Sequence, residues 1–66
     1  MTDLDVLRIL RGEIAVRIGS AEDRIARLEA AQATRAVPAI RQDMAHWQRQ
    51  VEALTAAIEV WHARAA

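Results

Sequence analysis

The 66-residue chain has no cysteine, no lysine, no tyrosine and no phenylalanine. Without cysteine there is no disulfide framework, no thiolate zinc site and no cysteine nucleophile. Its two glycines are too sparse for a phosphate-cradling loop. No apolar run approaches the ~18 residues that cross a bilayer, and no basic-then-apolar stretch at the start reads as a secretory signal. The expected location is the cytoplasm, or a virion assembled there. An excess of one charge is also missing. Nine basic and nine acidic residues cancel, and the isoelectric point is near 6.7, whereas a nucleic-acid-binding domain is expected above a pI of roughly 9. All nine basic residues are arginine and alanine is abundant. Both have GC-rich codons, which points to a high-GC bacterial genome or a phage of such a host.

What is present is helical spacing. Leu4, Leu7, Arg11, Ile14, Ile18, Ala21, Ile25, Leu28 and Gln32 step by three and four without a break. Val37, Ile40, Met44, Trp47, Val51, Leu54, Ile58 and Trp61 do the same. These are the a and d positions of heptads, the pattern of a helix that lays one stripe against a partner. The phase slips between Gln32 and Val37, and Pro38 sits at the slip. Proline suits a first helical turn and breaks an interior. The reading is all-α: an antiparallel helical hairpin forming one domain over 1–66, helix 1 about 3–34, turn about 34–37 and helix 2 about 38–64.

Local signals agree at the ends and conflict once in the middle. Thr2 reads as an N-cap, with Asp3 and Asp5 in the first turn facing the positive end of the helix dipole. His62 and Arg64 fall in the last turn of the second helix, where positive groups are favoured. Glu13 with Arg17 and Asp23 with Arg27 are spaced for ion pairs along one helix. Gly19-Ser20-Ala21-Glu22-Asp23, however, reads as a helix start inside helix 1, so a break there competes with a continuous helix.

Folding the hairpin about its turn places positions whose numbers sum to about 72, within a few residues, opposite one another. Arg11, the odd polar residue of the seam, then lies near Trp61, either over the indole face or turned outward along its stem. The first helix is expected to overhang the second by about a turn at its N-terminus. That segment is also the most apolar. Leu4, Val6, Leu7, Ile9 and Leu10, with Val16 beyond, form a flank wider than the seam, and a helix apolar around so much of its circumference touches more than one neighbour. A stripe of small residues (Gly12, Gly19, Ala26, Ala33) is a second place where another helix could approach, or merely a solvated face.

Size makes the same demand. Two helices enclose a seam and no core, and chains this short usually need disulfides, metal or association. The expected partner is the chain itself, as a dimer or higher, or a larger protein met through the N-terminal apolar flank.

Chemistry is not expected. His46 and His62 are sixteen residues apart and point in different directions, so they do not share a proton or a metal. No carboxylate pair sits on an apolar face where general acid–base work would need it. The chain is read as a non-enzymatic structural or interaction protein without catalytic residues, cofactor or metal. It self-assembles or docks as a small adaptor in a larger complex, with a phage virion component (capsid-associated or head-assembly) as the favoured context. The alternative is a small regulator, such as a dimeric RNA-binding hairpin or an antitoxin-like inhibitor of a partner protein. Specific nucleic-acid binding and membrane insertion are both disfavoured by the balanced charge.

Overall fold

A computed structural model describes residues 1–65. Helix α1 runs Asp3–Ala30, a single 3-10 turn covers Thr34–Ala36, and helix α2 runs Val37–Ala65. The two helices pack side by side as an antiparallel hairpin 51 Å long and 18 × 12 Å in section.

The start of α1 follows from two side chains. Thr2 is the N-cap: the Asp5 backbone N–H donates to Thr2 Oγ1 at 3.3 Å. Asp5 returns the contact, its Oδ2 accepting from the Thr2 backbone N–H at 3.0 Å and from the Thr2 hydroxyl at 3.0 Å. This is a capping box with aspartate in the place usually held by glutamate. The Thr2 backbone N–H, then the Thr2 hydroxyl, hold the Asp5 carboxyl below its ordinary value of 3.8, and the nearby Arg8 charge acts in the same direction. A carboxyl depressed by folding stabilises the fold above its ordinary pKa, and that contribution is lost as pH falls through the lowered value. Helix unfolding followed by circular dichroism is therefore expected to become easier below about pH 4. Asp5→Asn should remove part of that acid dependence, and an unchanged pH profile would contradict the role given to the box.

The end of α1 departs from the sequence expectation. The helix stops at Ala30, four residues before position 34, and Gln32 is not a seam residue. It is exposed and lies in the left-handed region at φ 58°. The Gln32 N–H donates to the Glu29 carbonyl at 3.1 Å and the Ala33 N–H to the Leu28 carbonyl at 2.9 Å. That pair of bonds is the Schellman ending, in which the residue after the C-cap turns left-handed and is usually glycine. Glutamine supplied no signal for it. Since a side chain in this region costs about 1–2 kcal/mol and glycine returns about half of that as chain entropy, Gln32→Gly is expected to raise stability by about 0.5–1 kcal/mol. The denaturant midpoint would register it; a lower midpoint would mean that Gln32 holds the turn by some other means.

The second helix begins at Val37, which is buried beneath the turn. Pro38 follows within the first turn, where no intrahelical N–H is required of it. Burial along both helices follows the heptads. In α1 every one of Leu4, Leu7, Arg11, Ile14, Ile18, Ala21, Ile25 and Leu28 is buried or half-buried, and every other residue is exposed. In α2 the seam is Val37, Ile40, Met44, Trp47, Val51, Leu54 and Ile58, joined by Ala45 and Thr55 at half burial. Trp61, expected in the seam, is exposed. The helix start suggested at Gly19-Ser20 is overridden: α1 is continuous through it, because Ile18, Ala21 and Ile25 keep the seam in phase.

The shorter α1 has two consequences. Opposed residues sum to 66–70, at the low edge of the expected register: Arg8 meets His62, Glu29 meets Arg41 and Arg11 meets Thr55. Arg11 thus donates to the Thr55 hydroxyl at 3.4 Å and is neither laid on Trp61 nor turned outward. The overhang also disappears. The helices have 28 and 29 residues, and the N-terminal turns of α1 run beside the last turns of α2.

Candidate association surface

Helical periodicity gives the hairpin two unlike broad faces on either side of the seam. With seam residues at heptad a and d, the e positions of both helices lie on one face and the g positions on the other. The e face is polar and bonded across the hairpin. Arg8 Nη2 lies 3.2 Å from His62 Nε2. Arg41 Nη2 donates to Glu29 Oε1 at 3.4 Å, the one ion pair among the described residues. Arg11, a seam residue, reaches Thr55 on this same side. These contacts are largely solvated, and an exposed ion pair contributes about 0–1 kcal/mol. Their effect is to fix the register more than to stabilise it. The pairs expected along α1, Glu13 with Arg17 and Asp23 with Arg27, are not within ion-pair distance.

The g face has no bond across it among the described residues. Toward the open end, Leu10, Ile14, Gln50, Ala53 and Leu54 line an apolar cleft of about 300 Å³. Toward the turn, Val16, Arg17, Ser20, Ala21 and Arg24 of α1 face Ile40, Asp43 and Trp47 of α2 across a second cleft of about 270 Å³. Arg24 and Asp43 both line it without forming an ion pair. Both clefts are shallow and lie on the outside of the seam.

The six flank residues separate on this frame. Leu4 and Leu7 are half-buried in the seam itself. Leu10 borders the apolar cleft and is 43% exposed, and Val6 lies a turn earlier on the same side at 42%. Ile9 points further outward, and Val16, 70% exposed, stands at the rim of the second cleft. The sequence reading missed Trp61 and Val60 as exposed apolar groups of α2. Trp61 at a d position carried no signal of exposure in the sequence.

The two histidines do not meet. His62 contacts Arg8 and His46 contacts Gln50, each a different neighbour. No group of His, Asp or Glu among the described residues is placed to hold a metal, and no helix is long and apolar enough to cross a membrane. Gly12 and Gly19 face open space: a methyl group at either would meet nothing within 4 Å, so neither glycine serves the contact between α1 and α2. Comparison of the chain with protein-family models, with curated proteins and with solved structures finds no match.

Proposed function

We propose that this hairpin is a non-enzymatic association module, a small component that assembles with itself or docks in a larger complex such as a virion. One observation carries this reading: the single chain hides too little of itself. A compact folded protein of 7.4 kDa exposes about 4,200 Å²; this one exposes 5042 Å². Its radius of gyration is 15.4 Å, against about 11 Å for a globular chain of this length. The excess of roughly 800 Å² matches what each partner buries in a standard protein–protein interface. Among the described residues only Ala21, Ile25, Val37 and Ile58 are buried, and none of their side chains is sealed completely.

The contact is proposed on the apolar flank of α1, centred on Val6 and Leu10, with Ile9 and Val16 at its margin and Leu4 and Leu7 supporting it from the seam. Leu10→Glu puts a charge at the centre of that patch while leaving the a and d positions untouched. Light scattering coupled to gel filtration at micromolar concentration is expected to give a mass above 7.4 kDa for the wild type if the chain is its own partner, and the single-chain mass for the variant. A wild-type chain that is single, poorly cooperative in melting and rescued by a host complex would place the partner elsewhere while keeping the module reading. A virion context rests on the chain being short, helical and free of lysine.

A further inference from the structure

We infer that the partner is a second copy of this chain, seated on the g face with the two-fold axis along the hairpin, so that α1 of each copy lies over α2 of the other. The inference rests on the association reading above and adds the occupant, the face and the symmetry. It comes from the order of residues at the g positions. From the open end toward the turn, α1 presents Asp3, Leu10, Arg17 and Arg24; at the matching levels α2 presents Arg64, Ala57, Gln50 and Asp43. Each level is complementary: acid with base, apolar with apolar, arginine with amide, base with acid. The structure places the Arg24 and Asp43 level on one cleft; Leu10 lines the other with Gln50 and Ala53, the α2 residues one to two turns toward the turn from Ala57.

Within one chain these charges go unused. The e positions are bonded in the same hairpin, Arg8 to His62 and Glu29 to Arg41. The g charges Asp3, Arg24, Asp43 and Arg64 form no ion pair among the described residues. A two-fold axis along the hairpin brings α1 of one copy onto α2 of the other at the same level, so all four levels become contacts between copies. Leu10 then covers the Ala57 region of the partner, and the product is a four-helix bundle with antiparallel neighbours. A two-fold axis across the hairpin would instead lay the apolar Leu10 end on Arg17 and Arg24. The surface excess of one chain is the amount each member of a standard pair buries.

The test uses full-length chains and exploits a property of this symmetry. Arg24→Asp gives two acid–acid contacts between copies, and Asp43→Arg gives two base–base contacts. Each variant alone is expected to weaken the dimer roughly tenfold, the scale of two lost and reversed rim pairs. Mixed one to one, the variants restore both contacts in the heterodimer, so native mass spectrometry should show the mixed pair well above the statistical half. Sedimentation should return the mixture to wild-type affinity. A charge pair acting inside one chain would not respond to mixing, so a statistical mixture with both variants weakened overturns the proposed symmetry. Variants that dimerise as the wild type does place the contact on another face. A wild type that stays single at high concentration removes the second copy as partner; if it also melts as one ordered chain, the association reading falls with it.

Discussion

Ile25→Ala is expected to cost about 2–5 kcal/mol and to leave the isolated hairpin largely unfolded. Ile25 is 5% exposed and is one of four buried hydrophobic residues among those described, so its loss opens a cavity in a seam with little else to collapse into it. Small domains have total stabilities of about 5–15 kcal/mol, and one with a two-helix seam lies at or below the lower end. Ile58, equally buried on α2, should behave alike. Circular dichroism on heating would show the loss as a broad, low transition. A sharp transition within a few degrees of the wild type would mean that the seam does not hold this fold.

The second large effect has the opposite sign. Gly12→Ala and Gly19→Ala are each expected to stabilise α1 by about 1 kcal/mol, the helix-propensity difference between the two residues. In the single chain nothing opposes them, since an added methyl at either position touches nothing. The proposed dimer leaves both positions outside as well, because they lie toward the e side of α1. The double variant should therefore melt higher by the sum of the two effects, with its mass in solution unchanged. A double variant that loses mass would show that a helix from another molecule rests on the small-residue stripe, and the g face would then have to be reassigned.

Most of the fold was legible because the dominant physical signal is periodic. The a and d positions from Leu4 to Leu28 and from Val37 to Ile58 are the buried and half-buried stripe, and the capping role of Thr2 needed only its oxygen and two acids in the first turn. What could not be read lies where the signal is a single backbone angle. Gln32 turns left-handed without being glycine or asparagine, so α1 ends four residues before the heptad pattern predicts. That one residue propagated into the register, the overhang and the placement of Arg11. The apolar flank of α1 was visible in sequence, but its division into Leu10 and Val16, which line the clefts, and Val6 and Ile9, which do not, needed the face that α2 occupies. The g-position order was present in the sequence throughout; it acquires meaning only once the level of each residue across the hairpin is known.

The most direct test of the central claim is the melting of the wild-type chain by circular dichroism over a thousandfold range of concentration. A fold completed by its own copy is stabilised by mass action, so the midpoint is expected to rise steadily with concentration and the transition to fade at high dilution. A midpoint that stays constant, with a cooperative transition and the mass of one chain throughout, would contradict it.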